Sequence, residues 1–195
     1  MTERGVNVPQ FAFDCTTPRL GLWRKVLQPF AGQPNVQAME IGCLEGRSTL
    51  WFLDNVLQHE SSGIICIEPD CRQSFVDNIA PYRHKVRLFE AYSAVALKDP
   101  KLTSSVLSFI YIDGDHRAAN VLEDAVLSFP LLVPGGILIF DDYLWRSSTP
   151  HVPQSMPRLA IEAFLSVYDG QYKLLYRGYQ VVIQKNWGML AVRRD

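Results

Sequence analysis

The side chains best suited to chemistry lie in two short acidic segments, one of which also contains a histidine. Asp113 and His116 lie in the segment YIDGDH after one apolar run, and Asp141 and Asp142 directly follow another. Carboxylates that meet at one place either raise a pKa or bind a cation, and hard oxygen ligands favour Mg²⁺ or a similar ion. A histidine beside them can accept a proton near neutral pH. These residues predict a metal site formed by Asp113, Asp141 and Asp142, with His116 as a general base.

Each of these side chains also has a purely structural explanation. Asp113 and Asp141 belong to a residue type that often caps turns, and His116 can cap the following helix or merely orient a substrate. Asp115, which lies between Asp113 and His116, is expected to be a solvated acid at a helix start. The acidic segments alone therefore leave a catalytic and a structural interpretation open.

The segment 40–48 has the pattern of a cofactor-binding turn. It ends an apolar run, turns at Gly42 and Gly46 and begins a helix, so that backbone can approach a ligand closely. Glu68 ends the next apolar run, where a carboxylate accepts hydrogen bonds from both hydroxyls of a ribose. An ordinary turn with a solvated acid has the same appearance. The GxxxG spacing differs from the GxGxxG of a nicotinamide enzyme, and the preceding acid, Glu40, suits a ligand with an ammonium group.

The elements that must position these residues alternate along the chain. A leading helix at about 17–28, with the hydroxyl of Thr16 as a predicted cap, precedes strands at 36–41, 63–67, 86–89, 106–112 and 136–140 and helices at 48–57, 72–79, 118–129 and 158–167. Strands that alternate with helices form a parallel sheet, and ligands bind at the carboxyl ends of its strands. The runs 172–177 and 179–185 are joined at Gly178, too close for a helical crossover, so they form an antiparallel hairpin. We expect no chemistry from 179–185.

The glycine turn and the acid after it resemble the first motifs of the class I S-adenosylmethionine (SAM)-dependent methyltransferases, over roughly residues 36–185. The resemblance implies an α/β, Rossmann-like fold: a mostly parallel seven-stranded sheet with an antiparallel C-terminal edge hairpin and helices on both faces. It implies that the turn lies under the methionine part of SAM and that the second acid binds the ribose. Ser93 falls where the family contacts adenine. The cofactor-binding residues expected in this way are Glu40, Gly42, Gly46, Ser48, Glu68, Ser93 and Asp113.

The run YIDGDH, followed by GG and DD, resembles the metal-dependent O-methyltransferases of the catechol type, and more closely a small bacterial branch that includes macrocin-type antibiotic methyltransferases. This resemblance implies that Asp113 is the first metal acid and that Asp141 and Asp142 are the second pair. The catechol enzymes have an aspartate and an asparagine at that pair, and they place a catalytic lysine where His116 lies. The implied reaction is methyl transfer from SAM to a hydroxyl, with His116 and Asp113 as catalytic residues.

Two other functions remain open at this point. One is a SAM methyltransferase that needs no metal, and the other is a SAM-binding or nucleotide-binding module without catalysis. The intact acidic segments argue against the second alternative. Trp145 lies in the expected substrate loop at about 143–157, where an aromatic ring either stacks on the acceptor or tethers the loop.

The 195 residues are expected to form a single domain, with the SAM-binding core at about 36–142 and the C-terminal helix and hairpin at about 158–185. The 19 basic and 20 acidic side chains lack the basic excess that nucleic acid requires. No apolar run approaches the length of a membrane span, and the first ten residues lack the apolar core of a signal peptide. We therefore expect a cytoplasmic protein whose partner is a small hydroxylated acceptor, with no nucleic acid and no membrane. The tail 187–195, with Trp187, is either a homodimer contact or packs on its own domain.

Overall fold

A seven-stranded sheet forms the centre of the computed structural model, which describes residues 8–146 and 153–187. Its order is β3-β2-β1-β4-β5-β7-β6, in which β7 runs antiparallel to both β5 and β6 and the other neighbours are parallel. The predicted fold class and the predicted C-terminal hairpin are both confirmed. The strands are β1 (Gln37–Ile41), β2 (Gly63–Ile67), β3 (Val86–Phe89), β4 (Leu107–Ile112), β5 (Leu132–Phe140), β6 (Tyr172–Arg177) and β7 (Val181–Lys185).

Seven α-helices surround this sheet in the described ranges, and two of them have no counterpart in the sequence prediction. The helices are α1 (Leu20–Val26), α2 (Arg47–Asn55), α3 (Gln73–Ile79), α4 (Ser93–Ala96), α5 (Pro100–Thr103), α6 (Ala118–Ser128) and α7 (Pro157–Val167). Helices α4 and α5 have four residues each, too few to show a helical period. No helix of residues 8–146 and 153–187 is long and apolar enough to cross a membrane. Residues 147–152 of the expected substrate loop and 188–195 of the tail lie outside the described residues.

Two local predictions need correction. The first helical residues are capped by Asp14, which accepts hydrogen bonds from the Thr17 amide at 2.9 Å and the Thr17 hydroxyl at 2.7 Å, whereas the Thr16 side chain makes no cap bond. Strand β5 begins at Leu132, four residues before the predicted start. The sequence VPGG there resembles a turn, but it forms an irregularity in the pairing with β4, where a proline and a positive-φ glycine are tolerated.

The sheet is covered on both faces because side chains alternate along each buried strand. In β1, Met39 and Ile41 belong to the apolar cluster that includes α6 and α7 residues, whereas Ala38 belongs to the cluster on the other face, with α1, α2 and α3. Glu40 lies between Met39 and Ile41 in the strand and is therefore directed toward α2. This polar side chain inside a buried strand leads directly to the site.

The strand order places a crevice between the ends of β1 and β4. The chain proceeds from β1 toward one edge of the sheet and from β4 toward the other, and ligands bind at such a switch point. Gly42 directly follows β1 with φ +85°, and a Cβ atom on it would lie 2.3 Å from the backbone oxygen of Asp113. Only glycine fits this approach, so the acidic end of β4 lies directly against the glycine turn.

Candidate active site

The turn after β1 is held in place by Glu68 at the end of β2. The Oε2 atom of Glu68 accepts hydrogen bonds from the amides of Cys43 at 2.9 Å and Leu44 at 3.0 Å. Its Oε1 atom accepts one from the amide of Asp70 at 3.2 Å. Leu44 has φ +47°, a strained value for a side chain of this type, and the bond to Glu68 holds it there. Glu68 therefore fixes the turn as well as lying beside it.

Glu40 lies beneath the turn. Its carboxyl group is fully buried and accepts hydrogen bonds from the hydroxyls of Ser48 and Thr49 on α2. Burial raises the pKa of Glu40 to about 7, although the two hydroxyl donors lower it. Glu40 lines neither of the cavities at the turn, so the predicted contact with a ligand ammonium group has no counterpart in this arrangement.

Gly46 and Ser48 form the start of α2. Gly46 has φ +79°, and a Cβ atom on it would lie 2.9 Å from the ring of Phe75, so it permits close packing of α2 against α3. Ser48 lines one of the two cavities at the turn, but its hydroxyl is bonded to Glu40. The structure thus separates the predicted cofactor residues into those that line a cavity and those that shape the turn.

Two cavities flank the glycine turn. The first has a volume of about 450 Å³ and the second about 230 Å³. The shared wall consists of Gly42, Glu68, Gly114 and His116. The two cavities therefore form one elongated depression with Glu68 near its middle, which suits a ligand with two arms joined by a sugar.

Ser93 lines the second cavity, on the side where an adenine contact is predicted. It begins α4, and its side chain is hydrogen-bonded to Asp124 on α6. Asp124 is buried, and this burial raises its pKa to about 6 even though the bond to Ser93 lowers it. Asp124 thus anchors the strand-to-helix turn that carries Ser93.

Asp141 lies at the end of β5 in a shell of donors. Its carboxylate accepts hydrogen bonds from the hydroxyl of Tyr111, from Gln180 Nε2 at 3.1 Å and from the amide of Asp142 at 2.7 Å. The guanidinium of Arg19 forms an ion pair with it at 3.3 Å. Because Asp141 is largely buried, these donors compensate a charge that is mostly shielded from water.

Asp113 follows β4 and has fewer partners than Asp141. Its Oδ2 atom is 2.8 Å from the Tyr111 hydroxyl, the same hydroxyl that contacts Asp141. Burial raises the pKa of Asp113 well above its usual range, and the charges of Asp141 and Asp142 raise it further. The crowding of three carboxyl groups thus opposes ionisation of Asp113.

Asp142 and His116 form a close pair at the mouth of the first cavity. The Oδ2 atom of Asp142 is 2.7 Å from His116 Nε2, and its Oδ1 atom accepts a hydrogen bond from the Tyr179 hydroxyl at 2.8 Å. The bond to Asp142 raises the pKa of His116, although partial burial lowers it. Burial opposes ionisation of Asp142, but the bonds from His116 and Tyr179 outweigh it and hold its pKa below the usual value. The Trp145 ring lies 4.2 Å from the imidazole, measured between centroids.

The three aspartates supply the type of ligand that a divalent cation binds, but their oxygens are too far apart to bind one cation together in this arrangement. All three line the first cavity and supply carboxylate oxygens. Within residues 8–146 and 153–187, the one trio of acidic, histidine or cysteine side chains with all ligand atoms within 4.8 Å is Glu40, Cys43 and Cys66, beneath the turn. The aspartate side chains therefore fit a hard cation in type and place, and Asp141 and Asp142 would have to loosen their contacts to converge on it.

The sequence did not identify four residues at this site as functional. Arg19 lies over the Tyr179 ring, 4.6 Å from its centroid, and both line the first cavity. Gln180 links Asp141 to the indole of Trp23, whose Nε1 donates to it at 2.9 Å. The expectation of no chemistry from 179–185 stays a prediction, but its first two residues hold site acids in place, since Tyr179 is bonded to Asp142 and Gln180 to Asp141. Tyr111 lies two residues before Asp113, and side chains at this spacing share one face of a strand. This spacing is the one feature of the sequence from which a site residue among these four could have been predicted.

A sheet with a switch-point crevice, a glycine turn and an acid on the next strand defines a nucleoside-binding α/β domain. Residues 39–143 match the family described as a methyltransferase domain, which is more than half of the chain. The chain belongs to this methyltransferase family. The predicted resemblance to class I methyltransferases is thereby confirmed.

Solved structures share the fold at low sequence identity. An O-methyltransferase from Bacillus cereus in complex with S-adenosylhomocysteine (SAH) aligns with a TM-score of 0.69 and 18% identity, over 90% of this chain and 84% of that one. MycE of the mycinamycin biosynthetic pathway, solved with Mg, SAH and mycinamycin VI, aligns with a TM-score of 0.69 and 15% identity, over 89% of this chain and 51% of that one. These alignments describe the fold.

One curated protein is similar in sequence. An uncharacterized protein of Acanthamoeba polyphaga mimivirus is 25% identical over 140 residues, which is 67% of this chain. The matched part spans 62% of that protein's length.

Proposed function

We propose that the protein transfers a methyl group from SAM to a hydroxyl of a small molecule. The observation that carries this proposal is the place of His116, which lines both arms of the depression at the glycine turn and is bonded to Asp142. A proton acceptor beside the reacting centre assists O-methylation, because the acceptor hydroxyl must lose its proton. The solved neighbours with O-methyltransferase in their names support the same reaction class.

The cofactor would lie along the two cavities. Gly42 permits close approach of the backbone, and Glu68 supplies a carboxylate for the ribose hydroxyls. Ser93 and Tyr92 line the arm suited to adenine. Ser48 and Asp113 line the other arm, where the amino-acid part would lie.

His116 is proposed as the general base, with Asp142 as the residue that orients it. The contact of Nε2 with Asp142 leaves Nδ1 as the ring atom with a free lone pair, an arrangement inferred from the hydrogen bond. Asp142 stabilises the imidazolium that forms when Nδ1 takes up the hydroxyl proton. The raised pKa makes His116 a stronger base, and it also predicts that activity falls as pH decreases and the resting imidazole becomes protonated.

The chemical step is an in-line displacement. The acceptor oxygen forms a bond to the methyl carbon as the bond from carbon to sulfur breaks, the electron pair returns to sulfur, and the hydroxyl proton passes to His116. SAH is the product, and no covalent enzyme intermediate forms. Holding the two reactants in line contributes roughly 7 kcal/mol or more as effective concentration.

A divalent cation such as Mg²⁺ is part of the leading proposal. Asp113, Asp141 and Asp142 would hold it, and its chemistry when bound is to lower the pKa of the acceptor hydroxyl. The three carboxyl groups that line the first cavity oppose ionisation of Asp113, and a cation would relieve this repulsion, which supports the proposal. A metal-independent reaction is the second candidate, because Arg19 and His116 already pair with Asp141 and Asp142.

The balanced charge of the chain supports a small acceptor as partner, and not nucleic acid. We also propose that the protein acts in the cytoplasm without binding a membrane. A homodimer through the tail that includes Trp187 remains part of the proposal, since Trp187 is 81% exposed.

Calorimetric titration with SAH tests the cofactor assignment. We expect micromolar binding by the wild type and about thirtyfold weaker binding by Glu68→Ala, because a charged acceptor of two hydrogen bonds is lost. Asp70→Ala is the matched control, since this exposed neighbour lines neither cavity. A folded wild type that does not bind SAH would contradict the proposal.

Chelation separates the two candidate mechanisms. Methyl transfer from labelled SAM to a panel of catechols and hydroxylated macrolides is measured with EDTA and after addition of Mg²⁺. Loss of transfer with EDTA and recovery with Mg²⁺ would support the cation. Transfer that is unchanged by EDTA but abolished by His116→Ala would support the metal-independent reaction.

A further inference from the structure

A third cavity, of about 580 Å³, adjoins the candidate active site. Trp145 lines both this cavity and the first one. Leu144, Met156 and Leu159 form an apolar part of its wall, and Leu144 and Leu159 are 49% and 46% exposed. Apolar side chains that are exposed together beside an active site are typical of a ligand-binding surface.

Two arginines at this cavity have no acidic partner among the residues that the structure describes. Arg146 and Arg158 both line it and are exposed, and neither forms an ion pair within residues 8–146 and 153–187. Glu162, the one acid among the described lining residues, is already engaged by Arg177 at 3.4 Å and by the Tyr143 hydroxyl. The described wall is therefore positively charged next to an apolar surface.

The position of Arg158 is fixed by an aromatic contact. Its guanidinium lies over the Tyr143 ring, 5.2 Å from the centroid. Tyr143 is buried, so the ring is a firm support for the exposed cation. A guanidinium held in this way presents its N–H groups to an anion with little loss of side-chain entropy.

The contacts also indicate how a bound acceptor would extend from His116 toward these arginines. His116 lies against the Trp145 ring, 4.2 Å between centroids, and Trp145 is the wall that the first and third cavities share. An acceptor with its hydroxyl at His116 would extend its body over Trp145 and its far end toward Arg146 and Arg158.

We infer that the third cavity selects an acceptor with an aromatic or apolar body and a carboxylate, sulfonate or phosphate group distant from the methylated hydroxyl. This inference rests on the proposed function for the location of the hydroxyl. It adds a substrate class, which neither the glycine turn nor the aspartates define.

A matched pair of fluorescent probes tests the inference without knowledge of the acceptor. The probes are 1-anilinonaphthalene-8-sulfonate and N-phenyl-1-naphthylamine, which share a ring system and differ in the sulfonate. Each is titrated into SAH-saturated wild type, Arg146→Ala/Arg158→Ala and the control Arg83→Ala. Arg83 is exposed, precedes β3 and lines none of the three cavities.

We expect the wild type and the control to bind the sulfonate about tenfold more tightly than the neutral probe, and the double variant to bind both within twofold. Equal binding by the wild type, no binding of either probe, or a preference that survives the double substitution would overturn the inference. SAH titration of the same samples separates the two proposals. Normal SAH binding without anion preference refutes only this inference, whereas a wild type that does not bind SAH refutes the proposed function.

Discussion

Replacement of Glu40 by glutamine tests whether this acid supports the turn from a buried, protonated state. Glutamine has nearly the same shape: its oxygen accepts from one of the Ser48 and Thr49 hydroxyls, and its amide N–H can donate to the oxygen of the other. It differs in carrying no proton that can be released. We therefore expect the substitution to change the pH dependence of stability more than the stability at acidic pH.

The magnitude follows from the shift in pKa. Burial raises the pKa of Glu40 from 4.5 to about 7, so between these values the native protein retains a proton that the unfolded chain releases. The stabilisation is complete below the lower value and is lost as pH rises through the upper one. From about pH 5 to about pH 8, the wild type should lose about 2.5 kcal/mol relative to Glu40→Gln.

The assay is urea unfolding of the apo protein at several pH values in this range. Titrations of the other groups are common to both proteins and cancel in the difference between them. Glu60→Gln, the same change at an exposed side chain, should follow the wild type at every pH. Parallel profiles for Glu40→Gln and the wild type, within about 0.5 kcal/mol, would refute the reasoning.

Three further substitutions test the crevice and the acids. Gly42→Ala places a Cβ atom 2.3 Å from the Asp113 backbone oxygen, so we expect a loss of about 3 kcal/mol or more in urea unfolding and loss of SAH binding in calorimetry; retention of both would contradict the tight approach. Trp23→Phe leaves the buried Gln180 Oε1 without its donor, so the free energy of unfolding should fall by about 1–3 kcal/mol, and methyl transfer should fall because Gln180 holds Asp141; unchanged stability would be inconsistent with that role. Asp113→Asn removes a carboxyl group whose ionisation is opposed by burial and by Asp141 and Asp142, so the apo protein should gain stability at neutral pH while methyl transfer is lost, and a destabilised variant would contradict this reasoning.

The fold is largely predictable because its strongest signals are local. The buried strands have short apolar runs, and Gly178 leaves too little chain for a crossover before β7. The errors in the predicted strand bounds occur where the same residue types are found both in turns and in irregular strands. Pro134 and Gly135 suggest a turn, yet they lie inside β5, where the irregular pairing with β4 accommodates them.

The candidate site is predictable in part for the same reason. Glu68 and His116 lie at strand ends beside recognisable turns, so position in the chain is enough to single them out. Arg19 and Gln180 reach Asp141 across 122 and 39 residues of sequence, and their contacts depend on how α1 and the hairpin pack. For Glu40 the sequence singles out the residue but not its contacts. That its side chain points toward α2, and not into the cavity, follows only from the alternation of side chains along β1.

The contacts of Asp141 and Asp142 also bear on the order in which the site is assembled. Arg19 comes from the first helical segment, and Tyr179 and Gln180 come from the turn before the last strand. During synthesis, Asp142 and Asp141 can therefore bond to Tyr179 and Gln180 only after nearly the whole domain has been made. Arg19 and Tyr179, from these two parts of the chain, also line the first cavity. A chain shortened at either end would therefore lose part of the cavity wall together with a partner of the acids, so a complete acidic site requires that both parts have docked.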